Sequence, residues 1–198
     1  VHVKYGEAQA LLAGDALQAL AFEFLTPQDG STEFTVQAAQ VSLLARASGY
    51  HGMAGGQAID LASVGLPLNE TQLRQMHRLK TGALLLCSVQ LGAVSAGKPS
   101  SQIFDALSQY AEALGLAFQV VDDILDVTSD SATLGKTAGK DAAADKPTYV
   151  SLMGLAQAEQ LANKLYAESL AALDASGLNT TATAALRALA TQVVQRKN

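Results

Sequence analysis

Residues 115–127 read GLAFQVVDDILDV, and the reading of this run decides the fold. Three carboxylates, Asp122, Asp123 and Asp126, stand inside an otherwise apolar stretch. On a helix, Asp126 follows Asp122 by four residues and Asp123 by three, and Gln119 precedes the first two by three and four, so the four side chains form one polar stripe. Leu114, Phe118, Val121 and Leu125 make an apolar stripe on one flank, and Ala117, Val120 and Ile124 one on the other. A helix that is apolar nearly all round is a buried helix. Carboxylates are almost never buried without a partner, so the stripe faces a polar cavity or a bound cation. Mutual repulsion would drive one acid towards its protonated form unless a counter-charge is present. Oxygen-only ligands with no His or Cys beside them favour Mg2+. The competing readings are a helix cap and a solvated acidic face. A cap would place one acid ahead of the apolar run, and acids near a helix C-terminus oppose the macrodipole.

The remainder of the chain reads as helix. Of 198 residues, 49% are hydrophobic and only 5% aromatic, with four Pro and an abundance of Ala and Leu. That composition favours helices and suffices for a substantial core. The net charge of -5 supplies no basic stripe for nucleic acid. No apolar run approaches a membrane span, and no secretory signal is visible, although the chain opens on Val1 and not on Met. The single Cys87 excludes an internal disulfide and suits a reducing compartment, the cytoplasm.

Helical spacing predicts helices over 7–25, 33–62, 70–96, 102–127, 148–173 and 180–195, with no alternating strand pattern, hence one all-α bundle. Breaks fall at 26–32, 64–69 and 98–100, where Pro, Gly, Asn and Asp gather. Asn69 is a good cap for the third helix. Gly49, Gly52, Gly55 and Gly56 interrupt the second helix, which implies either close helix contact or room for a ligand. The segment 128–147 is too long to be only a connector, and it carries Lys136, Lys140 and Lys146. Lysines there could grip phosphates or could simply be solvated. Lys80 and Thr81 stand directly before the apolar run GALLL; a Lys so placed can also snorkel to the surface. His77, one turn before Thr81, has no role assigned by its spacing.

The run FQVVDDILD resembles the second aspartate-rich motif of the trans-isoprenyl diphosphate synthases, the family of farnesyl and geranylgeranyl diphosphate synthases. Further matches are KTG at 80–82, LGK at 134–136, DKPTY at 145–149, GGQAIDL at 55–61 and LAGDALQAL at 12–20. The resemblance implies that Asp122, Asp123 and Asp126 bind Mg2+. It implies that Lys80, Lys136 and Lys146 contact substrate diphosphate, and it offers no counterpart for Lys140. By the same resemblance, Lys80 and Thr81 lie in an inward-bent helix, a distortion that Gly82 eases. The Thr81 hydroxyl and the Gln119 side-chain oxygen are implied to face a carbocation. Asp15, Gln57 and Asp60 are read, in stretches that resemble the family closely, as buried hydrogen-bonding groups behind these residues or as polar groups in the packing, and not as direct ligands.

The resemblance covers nearly the whole chain, but family members carry about a further third of their length in front. That part holds a Gly-Gly-Lys-Arg phosphate motif, a first aspartate-rich motif and a following pair of arginines. The expected architecture is therefore one helical domain over 1–198 of the isoprenoid-synthase type, lacking its N-terminal helices and not competent alone. The expected activity is Mg2+-dependent condensation of isopentenyl diphosphate with an allylic diphosphate to a short-chain trans-prenyl diphosphate such as farnesyl diphosphate. A homodimer is expected. A class I terpene cyclase and a non-catalytic subunit of a heteromeric synthase are the alternatives. Low aromatic content counts against the first and the intact acidic triplet against the second.

Overall fold

The structure is a computed structural model, described here for residues 1–128 and 147–196. The described residues form α1 (His2–Tyr5), α2 (Glu7–Leu25), α3 (Phe34–Ser48), α4 (Met53–Ala62), α5 (Glu70–His77), a π-helical turn (Arg78–Gly82), α6 (Ala83–Ser95), α7 (Ser101–Thr128), α8 (Tyr149–Met153), α9 (Leu155–Ala175) and α10 (Thr180–Gln195). There is no strand among them, so the fold is all-α. No described helix is long and apolar enough to cross a membrane.

The centre is α7, whose 28 residues carry the acidic stripe near the C-terminal end. Its most extensive neighbour is α9, with α6, the π-turn and α10 around it. Both apolar flanks of the stripe are covered: Ala117, Val120 and Val121 pack with Leu73, Met76, Tyr149, Ala158, Ala162 and Leu165. Towards the other end, Leu107, Tyr110, Ala111 and Leu114 pack with Ala172, Leu173 and Ala190. The alanines of α9 and α10 permit close approach, and the Tyr110 hydroxyl, buried at this crossing, donates to the Leu186 carbonyl at 2.8 Å.

Local chemistry sets the ends. Asn69 caps α5, as the sequence predicts, and does so in a reciprocal capping box with Gln72. Thr148 and Ser151 form another at α8. Two helices are shorter than periodicity suggests. The glycine-rich stretch after Ser48 separates α3 from α4. The stretch read as one helix over 148–173 breaks at Gly154, whose φ of 83° and ψ of 157° are accessible essentially only to glycine.

One expectation fails outright. Asp15 is exposed, and α2 buries none of its residues. Among the described elements α2 packs mainly on α1 and α3, and Leu11, Leu12, Leu17 and Phe24 are exposed. The resemblance implied a covered Asp15, but no described element covers that face.

Candidate active site

The acidic stripe opens into a cavity of about 220 Å3 between α4, α5, the π-turn, α7 and the start of α8. Asp122, Asp123, Asp126, Gln119 and Lys80 all line it, together with Asp60 and His77. Thr81 is half-buried and is not among the lining residues. Lys136 and Lys146, and with them Lys140, lie outside the described residues.

Lys80 reaches the cavity because of the π-turn. An inserted residue at 78–82 rotates the chain locally, a distortion frequent at functional sites. Its Nζ donates to Asp60 Oδ2 at 2.7 Å, with the Asp60 side chain only 11% exposed. Lys80 therefore does not simply snorkel to the surface: a largely covered carboxylate holds it. Asp60 thus pairs with Lys80 from α4, while Gln57 sits half-buried one turn earlier on the same helix.

The two uses left open for the α4 glycines are decided at Gly56. A β-carbon there would lie 2.1 Å from the Lys80 backbone nitrogen and 2.6 Å from its Cα. Gly56 is where α4 crosses the π-turn at backbone contact, so the missing side chain serves packing. On the other side, a β-carbon on Gly115 would lie 3.4 Å from the Gly82 Cα. The turn carrying Lys80 is thus wedged between two helices. Gly56→Ala is expected to lower the melting temperature, because overpacking costs about 1–3 kcal/mol and outweighs the roughly 1 kcal/mol that Ala gains over Gly in a helix. Gly92→Ala, on α6 with no atom within 4 Å of the new β-carbon, should hold or raise it. Thermal denaturation of both variants checks this, and equal melting temperatures would contradict the wedge.

Each acid has a distinct environment. Asp123 is buried, and its Oδ2 accepts the Tyr149 backbone N–H at 2.7 Å. Asp126 is buried beside it. The Asp122 side chain is 44% exposed, and its Oδ1 accepts from Arg196 Nη2 at 3.4 Å. Arg196 also donates to the Phe118 carbonyl at 2.9 Å and lies over the Phe118 ring at 4.0 Å. Burial pulls the Arg196 pKa down, and Asp122 opposes that. The oxygen-only donor set suits a hard cation such as Mg2+. Among the described residues no three acidic, His or Cys side chains converge on a single metal point, since Asp122 and Asp123 lean to Arg196 and Tyr149.

Sequence reasoning missed two lining or contacting residues. Arg196 comes from beyond the last helix, with no motif to mark it. His77 belongs to the cavity wall instead of the surface, and its ring stacks on Tyr149 at 5.8 Å and 26°. Burial pushes its pKa down to about 4, aided by Lys80, while Gln119, Asp60 and Asp122 favour its charged form. Its three-residue offset from Lys80 was the available signal. A larger groove of about 860 Å3 shares the π-turn but includes no member of the acidic motif; it mixes Arg46, Arg74 and Arg78 with Glu112 and Glu168.

Comparison with known proteins bears on this arrangement. The chain is 47% identical over 196 residues to farnesyl diphosphate synthase of Escherichia coli (strain K12), covering 98% of this chain and 66% of that protein. A putative farnesyl-diphosphate synthase structure from Marinomonas sp. MED121 superposes with a TM-score of 0.83 at 36% identity, over 98% of this chain and 65% of that one. A geranyltransferase from Helicobacter pylori, solved in complex with magnesium and isoprenyl diphosphate, gives 0.78 at 35% identity, over 98% and 60%. The chain thus spans just under two thirds of the length of these relatives. The polyprenyl synthetase family model matches residues 1–186, which include the π-turn, the acidic stripe and both crossings that frame them, and this chain belongs to that family.

Proposed function

We propose that the chain supplies one helical domain of a trans-prenyltransferase that condenses isopentenyl diphosphate with dimethylallyl or geranyl diphosphate. The product is a short-chain trans-prenyl diphosphate such as farnesyl diphosphate. The observation that carries this reading is the gathering of Lys80, Gln119, Asp122, Asp123 and Asp126 on one cavity in a chain of this family. Asp122, Asp123 and Asp126 would hold Mg2+, whose charge offsets that accumulating on the departing diphosphate.

The chain's own groups account for the rest. Lys80, held by Asp60, offers its ammonium to diphosphate oxygens, and Lys136 and Lys146 are proposed to add two more cations. The allylic C–O bond breaks, the pair of electrons leaves with pyrophosphate, and an allylic cation remains. The Gln119 oxygen, which lines the cavity, presents partial negative charge to that cation; Thr81, which does not line it, is proposed there on the resemblance alone. The isopentenyl double bond supplies the electrons of the new C–C bond. A proton then leaves the adjacent carbon for pyrophosphate, restoring a double bond. The apolar side chains on the cavity wall, Val64, Leu68 and Met76, help to keep water from the cation.

The test is product analysis of the intact protein with radiolabelled isopentenyl diphosphate and each allylic primer. Linear elongated diphosphates, formed with Mg2+ and lost on chelation, are expected. A cyclised hydrocarbon from a single allylic substrate would instead support a terpene cyclase, and no turnover at all the non-catalytic subunit. The exposed apolar residues of α2, with α3 and α4 beside it, are proposed as a homodimer surface, because contiguous apolar patches on a helix mark contact sites. Sedimentation at micromolar concentration should give a dimer, and monomer alone would refute that surface. We also place the protein in the cytoplasm, consistent with Cys87 buried as a free thiol.

A further inference from the structure

Prenyl transfer as proposed gives Arg196 no part. It lies beyond the last residue of α10, yet its side chain ends on the acidic stripe. Three contacts hold it there. Nη2 donates to the Phe118 carbonyl at 2.9 Å and to Asp122 Oδ1 at 3.4 Å, and the guanidinium lies over the Phe118 ring at 4.0 Å. The side chain is only 19% exposed, and Nε is buried without a hydrogen-bond partner. Covering a charge so far is costly unless an anion offsets it. The chain brings Arg196 to this place independently of its charge, because Val193 and Val194, on the last turn of α10, pack on the two halves of the core.

Asp122, Asp123 and Asp126 crowd the C-terminal end of α7, where the helix dipole is also negative. Lys80, which lines the same cavity, is committed to Asp60 at 2.7 Å, so Arg196 brings positive charge to the motif itself. A divalent cation bound to Asp122 needs the same carboxylate and carries the same sign as the guanidinium. With twice the charge it prevails there at equal distance. Two of the three Arg196 contacts are to Phe118 and do not depend on Asp122, so the guanidinium stays and its charge goes on opposing the metal. We propose that Arg196 is the built-in counter-ion of the acidic motif: it neutralises Asp122 in the absence of metal, and it weakens Mg2+ binding there until a diphosphate adds negative charge. Metal loading is thereby tied to the arrival of substrate, because the diphosphate offsets both cations at once.

This inference rests on the proposed reading of Asp122 as a Mg2+ ligand, but its test needs no turnover. Mg2+ is titrated calorimetrically into the intact protein without substrate. Arg196→Met keeps an apolar stem over Phe118 and removes the charge; Arg196→Lys keeps the charge. Arg196→Met should tighten Mg2+ binding about tenfold, the scale on which one neighbouring charge shifts a carboxylate equilibrium. Arg196→Lys should stay within about threefold of wild type. With saturating inorganic pyrophosphate, the gap between Arg196→Met and wild type should close to about twofold or less. In the Asp122→Asn background Arg196→Met should change Mg2+ affinity by less than about twofold, since the shared carboxylate is gone. Mg2+ should also raise the melting temperature of Arg196→Met at lower concentrations than that of wild type, a readout that at the same time reports folding. Equal or weaker Mg2+ binding in Arg196→Met would overturn the proposal. So would an Arg196→Lys variant that behaves like Arg196→Met, a gap that persists with pyrophosphate or without Asp122, or no Mg2+ binding by any variant. Linear prenyl products from the same preparation would then leave the prenyltransferase reading standing. The expected affinities in a protein without prenyl transfer would uphold the role of Arg196 and defeat that reading alone.

Discussion

Assayed by themselves, these 198 residues are expected to form prenyl product at least about a thousandfold more slowly than a synthase holding two acidic motifs. The reason is electrostatic. Two diphosphates bring several negative charges to a chain whose own net charge is -5. The resemblance implies Mg2+ held between two aspartate-rich motifs, with arginines and a Lys-Arg pair behind them, and this sequence contains one such motif. Of its cations at the cavity, Lys80 is paired with Asp60, and Arg196 is shared between Asp122 and the Phe118 carbonyl. A metal held from one side leaves the departing pyrophosphate poorly stabilised, and the loss of a single preorganised charge stabiliser already costs roughly a hundred- to a thousandfold. Steady-state rates with labelled isopentenyl diphosphate measure this. Turnover within tenfold of a two-motif enzyme would show that the second motif is dispensable.

Within an intact enzyme, Asp122→Ala should lower turnover by about a hundred- to a thousandfold. Asp123 commits one oxygen to the Tyr149 N–H and lies buried with Asp126, whereas the Asp122 side chain stands at the mouth with 44% of its surface exposed. It is the acid best placed to meet an incoming cation. Its ion pair with Arg196 spans 3.4 Å, a contact that a divalent ion can outcompete. Removing Asp122 should therefore also raise the Mg2+ concentration needed for half-maximal rate, which a titration reads separately from kcat. Asp130→Ala, four residues beyond the motif and outside the described residues, should change little. A rate for Asp122→Ala within threefold of wild type, at unchanged Mg2+ dependence, would remove Asp122 from the metal site.

The sequence by itself determined what depends on neighbours a few residues away. Helical spacing alone placed 7–25, 102–127 and 180–195 within a residue or two of their observed bounds. The capping chemistry of Asn69 was legible for the same reason, as was the stripe of Gln119, Asp122, Asp123 and Asp126, because side chains three and four apart must share a helix face. The tertiary structure decided everything that depends on what arrives from far along the chain. Asp15 sits in a run as apolar as α7, yet it is exposed because no described helix packs there. The π-turn that delivers Lys80 is wedged by Gly56 and Gly115, both far from it in the chain. Arg196 reaches Asp122 across 74 positions, and Tyr149 reaches Asp123 across 26. His77 is half-buried, with Tyr149 of α8 stacked on its ring. Helix periodicity is satisfied by hydrogen bonds inside one segment, so it is written locally. Burial, charge pairing and the bend at Lys80 are set by packing between segments, and no local pattern encodes which segment will be the neighbour.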